Sequence, residues 1–370
     1  MTSWRALAIS LAIAVVALAA GGCAATSDDA TDALRSRVQV AVDEFLASRD
    51  IPGASVAIVT EGHVLTVVSG HADLERQDPI GPRDEFRLAS ITKTYLAALA
   101  LSFDTEGVVA LDEPIDPWLS DLPPGLDLRG ITMRQLLSHT SGLAQTATDD
   151  RDRGKHLTLV DVLARIPPRA CAPGRCWSYA DGNYVVAALV LESATAKSLT
   201  DEMHDRFFEP LELASTHFVG DPRAAPLPPY TLVVDPITFQ PVRPHQLRRQ
   251  QLPIVTDDRA APIVASATDL ARWGDALFNG GAIDPAALDR MLDVSAMRGL
   301  PCPHGCPFPY GLGVFHYEFG GREFVGHDGS SGAIVATDVD AGLTIAIVTN
   351  GGELDLGLFV ETVVAAIDQG

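Results

Sequence analysis

The chain has 370 residues, 47% of them hydrophobic and 20% charged. That is enough apolar length for a large core, and it leaves no long stretch of disorder-prone composition. The formal net charge of −21 repels phosphate backbones and argues against a nucleic-acid partner.

The first feature in chain order reads as an export signal. Arg5 supplies a positive start, and residues 6–20 form an apolar run broken only by Ser10. Such a run is too short to span a bilayer and right for a signal-peptide core. Ala19-Ala20-Gly21-Gly22-Cys23 follows. It resembles a bacterial lipoprotein signal, in which the cysteine is lipidated, with Ala20 standing where leucine is usual. Residues 1–22 are therefore expected to be removed, Cys23 to carry lipid, and residues 23–32 to act as a polar tether. Simple cleavage and secretion is the alternative. The expected location is the outer face of the membrane or the medium beyond it, with a lipidated Cys23 as the membrane contact.

Apolar Leu34, Val38, Val40, Ala41, Phe45 and Leu46 recur at helical spacing. Residues 51–60 and 63–70 read as two strands joined by Glu61-Gly62. Residues 90–103 predict an apolar helix. Residues 111–220 are mostly helical in pattern, most clearly at 183–196 and 199–211. Residues 221–262 are rich in proline and arginine and, apart from a possible strand at 231–234, lack periodicity; they read as a long surface excursion. Residues 267–278 predict a helix stopped by Asn279-Gly280-Gly281. Four short strands at 310–317, 322–326, 332–338 and 343–349 precede a last helix at 354–367.

Strands at both ends with helices between predict an α/β (α+β) fold. An antiparallel sheet would be built from both termini and flanked by helices. Residues 33–110 with 263–370 would form that sheet-and-helix subdomain, and 111–262 a mainly helical insertion.

Four cysteines remain beyond Cys23: Cys171, Cys176, Cys302 and Cys306. An even number in an exported chain predicts two disulfides, and local pairing is the simplest of three connectivities. Cys302-Pro-His-Gly-Cys306 also has ligand spacing, but no second tight pair lies near it and the compartment is oxidising. Neither a metal nor a cofactor is expected.

The chemistry starts at Ser90-Ile-Thr-Lys93. Lysine is scarce, at Lys93, Lys155 and Lys197 only, and Lys93 alone has a serine three positions before it. That spacing puts both side chains on one helix face. A serine hydroxyl needs a base beside it, and a lysine in apolar surroundings can serve. Tyr179-Ala-Asp181 adds a phenol that can act as acid or base. His327-Asp-Gly329 lies between two predicted strands, where glycine lets a backbone approach closely. His139 reads as structural. No G-x-S-x-G occurs, so a nucleophile elbow finds no support.

Taken in order, these segments resemble the serine β-lactamase and penicillin-binding-protein superfamily, in its branch of class C β-lactamases and D-alanyl-D-alanine carboxypeptidases. Residues 86–93, 132–143, 173–184, 310–313, 326–329 and Asn350 carry the resemblance, which spans residues 33–368. It implies an acyl-enzyme on Ser90, with Lys93 and Tyr179 jointly moving its proton. It implies an oxyanion hole from the backbone N–H groups of Ser90 and Ser330, with Gly329 beside it. His327 would line the substrate channel and donate to substrate or to Tyr179. Asp181 departs from the asparagine usual there; it places a negative charge beside Lys93, and Asn183 would partly substitute. Histidine at 327 favours a D-alanyl-D-alanine carboxypeptidase-like activity, with a carboxylesterase or β-lactamase as the alternative. A penicillin-binding sensor without catalysis is the third reading, toward which only Asp181 points. The partner is expected to be a small molecule or peptide: a D-alanine-terminated peptide, an ester or a β-lactam.

Overall fold

A computed structural model describes residues 27–120, 122–145, 156–232, 247–249, 254–255, 263–303, 305–351 and 354–369. The export signal, Cys23 and most of the 221–262 excursion lie outside the described residues.

The frame is a seven-stranded antiparallel sheet among the described residues, in the spatial order Phe315–Phe319, Arg322–Gly329, Ala333–Asp338, Leu343–Thr349, Gly53–Thr60, His63–Asp73, Asp78–Pro79. The two ends of the chain meet at its centre, where Ala54 faces Thr349 and Thr60 faces Leu343. Side chains alternate between the faces of a strand. Ala54, Val56 and Ile58 therefore pack on one side with Leu343, Ile345 and Ile347. Ala57 and Val59 pack on the other with Ala346 and Val348. Both faces are covered, so these strands read as unbroken apolar runs.

The helices Ser27–Arg49 and Leu356–Asp368 cover the first face, with Phe45 stacked on Phe359 at 4.0 Å between centroids. The first of them begins at Ser27, inside the stretch expected as a tether. That correction has a simple cause: the packing of Val38, Val42, Phe45 and Leu46 on the sheet stabilises the helix, which runs on toward its N-terminus. Ala267–Phe278 crosses the opposite face. A Cβ on its Gly274 would lie 2.5 Å from Val335 Cγ2, so the bare glycine sets how closely helix and sheet approach. Trp273 stacks on Tyr95 at 3.9 Å and its Nε1–H donates to Thr94 Oγ1 at 2.8 Å. This ties the crossing helix to Thr92–Thr105, the helix that carries Lys93.

Several boundaries move. The helix expected over 199–211 is α-helical at Leu199–Met203 and continues as a π-helical turn at His204–Phe208, which sets Phe207 and Phe208 both in the core. The strand expected from 310 starts at Phe315. The next one extends past 326 to Gly329, carrying His327 and Gly329 inside the sheet. The two disulfides are the local ones, Cys171–Cys176 and Cys302–Cys306.

Candidate active site

A short second sheet delivers the serine. Phe86–Arg87 pairs with Ile263–Ala265, and the next amide, Leu88 N–H, donates to Ile263 O at 2.9 Å. The chain then turns abruptly. Ala89 takes a left-handed conformation (φ +46°), costly for a residue with a Cβ. Ser90 thus sits in the 3-10 turn Ala89–Ile91 ahead of the α-helix, not inside it as the pattern suggested. The Ser90–Lys93 relation survives this shift: Lys93 Nζ donates to Ser90 Oγ at 2.9 Å.

Lys93 is 7% exposed at its side chain and also donates to Asp181 Oδ1 at 2.7 Å. Its Nζ lies 4.9 Å from the centre of the Tyr179 ring. Burial alone favours the neutral amine, but the negative charge that Tyr179 carries when ionised, and the charge and hydrogen bond of the Asp181 carboxylate, outweigh it, and the lysine pKa rises above its ordinary range. Burial pushes Asp181 up; Lys93 and the Gln145 hydrogen bond more than reverse that and hold it at about 2. Burial raises the Tyr179 phenol, against the pull of Lys93. At neutral pH the cluster is therefore ammonium, carboxylate and phenol.

Asp181 has a second partner that the sequence did not single out. Gln145 Nε2 donates to Asp181 Oδ2 at 3.0 Å, and Asp181 N–H donates to Gln145 Oε1 at 2.8 Å. Gln145 follows the turn that ends the 132–143 segment, and no local pattern marks it. Asn183 does not take the role expected of it. It is fully buried, with Ser141 Oγ donating to its Oδ1 at 2.5 Å and its Nδ2 against His139 Nδ1 at 3.0 Å. It braces the segment from below instead of facing the serine.

His139 is structural, as its setting in the sequence suggested. Its carbonyl accepts Ser178 N–H at 2.9 Å and its Nδ1 accepts Ala180 N–H at 3.2 Å. Those contacts fall on either side of Tyr179, whose ring lies 4.3 Å from the imidazole. Burial, then the nearby Lys93, push the His139 pKa well below the ordinary histidine value. The neutral ring with Nδ1 as acceptor is the tautomer these bonds require.

His327 differs from expectation. It lines the cleft, yet both ring nitrogens are used within the protein. Nδ1 lies 2.6 Å from Asp328 O, a pure acceptor, so Nδ1 carries the proton. Nε2 then accepts from Tyr310 Oη at 3.2 Å. Burial, reinforced by Lys93, brings its pKa down to about 4. The expected donation to substrate or to Tyr179 gives way to a role in holding the strand end, because the sheet buries the ring to 1% exposure.

Gly329 brings that strand end onto the serine turn. A Cβ there would lie 2.2 Å from Leu88 O, so only glycine fits, and Ser331 Oγ donates to Arg87 O across the same seam. Ser330 and Ser90 consequently line one cleft of about 950 Å³ with Tyr179, Gln145, Trp177 and Phe315.

The fold and this cleft define a β-lactamase-fold hydrolase. The chain matches the Beta-lactamase family over residues 38–366 and belongs to that family. It is 26% identical over 343 residues to penicillin-binding protein 4 of Amycolatopsis lactamdurans, covering 84% of each chain. It is 30% identical over 205 residues to esterase EstB of Burkholderia gladioli, covering 50% of this chain and 52% of the esterase. Among solved structures, the D-amino acid amidase of Ochrobactrum anthropi SV3 superposes with a TM-score of 0.77 at 26% identity, over 91% of this chain and 99% of that one.

Proposed function

We propose that the protein is an acyl-transfer hydrolase whose nucleophile is Ser90. The observation that carries this reading is Lys93, which donates to Ser90 Oγ and Asp181 at once beneath the face of Tyr179. Ser90 Oγ would attack the substrate carbonyl while its proton passes into the Lys93–Tyr179 pair. The same proton would then go to the leaving nitrogen or oxygen, leaving an ester on Ser90 for water to hydrolyse. The backbone N–H groups of Ser90 and Ser330 would receive the oxyanion.

For the substrate, the relationship to a penicillin-binding protein supports a D-alanine-terminated peptide. The amidase and esterase relatives support other D-configured amides or simple esters on the same acyl-enzyme. Export, with an anchor at Cys23, is the proposed setting; the apolar run at 6–20 supports it. Membrane fractionation of the intact chain beside Cys23→Ser tests the anchor.

Intact-mass analysis tests the chemistry. After exposure to a penicillin or an activated ester, the protein should gain one acyl group. Ser90→Ala should gain none, and an adduct on that variant would remove Ser90 from the role.

A further inference from the structure

The cleft at Ser90 has a built lip. Residues 301–303 leave the wall where Trp177 N–H donates to Pro301 O at 3.0 Å, and residues 305–309 rejoin it where His316 N–H donates to Pro309 O at 2.9 Å. The Cys302–Cys306 disulfide closes the loop between these anchors. Gly305, Pro307 and Phe308 of the lip line the cleft together with Trp177 and Phe315. The other disulfide ends at Cys176, directly before Trp177, so each aromatic wall follows a disulfide-closed loop.

Phe308 is the unusual member. It is 41% exposed, the only aromatic among the exposed large hydrophobics of the described residues. It is held edge-on by Phe315 at 6.2 Å and Tyr317 at 5.1 Å, so the ring is oriented yet uncovered. Behind it lies a second hollow of about 440 Å³, lined by Met297, Leu300, Cys302 and Pro309. Pro307 and Phe308 line both spaces. The cleft itself reaches the upper end of the roughly 300–1,000 Å³ found for ligand sites. An acetyl or D-alanyl group alone would leave most of it to water.

We propose that Phe308, Trp177 and Phe315 form a subsite for an apolar, aromatic-sized group flanking the scissile bond of the substrate, with the Cys302–Cys306 clip holding the Phe308 wall in place. This rests on the serine-hydrolase reading. The chemical class selected is an aryl- or arylalkyl-bearing amide or ester, taken in preference to its methyl counterpart.

The test compares kcat/KM across two matched series. One varies the acyl side, with p-nitrophenyl acetate against p-nitrophenyl phenylacetate. The other varies the leaving side, with D-alanine methylamide against D-alanine benzylamide. The protein should prefer the aryl member of one series by about tenfold or more, the discrimination an apolar pocket gives for added carbon. Phe308→Ala should reduce that ratio to within about threefold, through loss of rate on the aryl member. Phe308→Leu, which keeps most of the bulk, should fall between, and Cys302→Ser/Cys306→Ser should move the same way as Phe308→Ala. An aryl preference absent from both series, or unchanged in Phe308→Ala, overturns the subsite while Ser90 acylation stands. Failure of every ester to acylate Ser90 overturns the hydrolase reading and the subsite with it.

Discussion

Lys93 Nζ lies closer to the carboxylate of Asp181, at 2.7 Å, than to the hydroxyl of Ser90, at 2.9 Å. A candidate base for Ser90 is thus held as a cation by its other neighbour. Asp181 also raises Tyr179, so one side chain suppresses both candidate bases.

The pH dependence follows from that sign. The proposed acyl transfer requires a deprotonated group in the Lys93–Tyr179 pair, and both are held above their ordinary values. The kcat/KM should therefore climb through the alkaline range. Asp181→Asn removes the carboxylate that helps hold both protons, and should move the climb to lower pH by about one unit or more. A profile that overlays the parent would show that Asp181 does not set it.

In the proposed mechanism Lys93 and Tyr179 act on the same proton, so their losses should not add. Lys93→Met and Tyr179→Phe should each lower kcat by about 10²–10⁴-fold. The double variant should be little worse than the poorer single one, because groups that act as a unit fail together. A product of the two single effects, read from steady-state rates, would argue for separate roles.

Gly329→Ala should damage the site from a distance. Its Cβ would press on Leu88 O, which is backbone and cannot swing away. The strand end carrying Ser330 should lift from the serine turn, costing about 10²-fold in kcat through a displaced oxyanion donor. An unaltered kcat would mean that the seam is not needed for the oxyanion hole.

Acid should destabilise the fold through its buried histidines. His327 has a folded pKa of about 4, and His139 is also well depressed. In the unfolded chain each takes up a proton near the ordinary value of about 6.5. The unfolded state thus binds more protons below that pH, and stability falls as pH drops from about 6.5 toward 4. For His327 the loss is on the order of 3 kcal/mol. Denaturant melts across this window should show it, and His327→Gln should flatten it.

Much of this protein was legible from residue patterns because those patterns are local. The strand periodicity at 53–60 and 343–349, the helix at 267–278, and the grouping of Ser90 and Lys93 at one turn depend on neighbours a few positions away. Even there, backbone strain intervened. The left-handed Ala89 cannot be read from an alanine, and it moved Ser90 out of the α-helix.

By itself, then, the sequence determined the antiparallel sheet joined from both termini; it offered local cysteine pairing as the simplest of three connectivities, and Ser90, Lys93 and Tyr179 as candidates for acting on a carbonyl. Only the tertiary structure decided how those side chains are used. It turned His327 inward to Tyr310 and Asp328, put Asn183 under His139, gave Asp181 to both Lys93 and Gln145, and set Phe308 as the lip. The reason is physical: hydrogen-bond partners and burial are properties of chains brought together across tens or hundreds of residues, and no local spacing encodes which neighbour will reach a given nitrogen first.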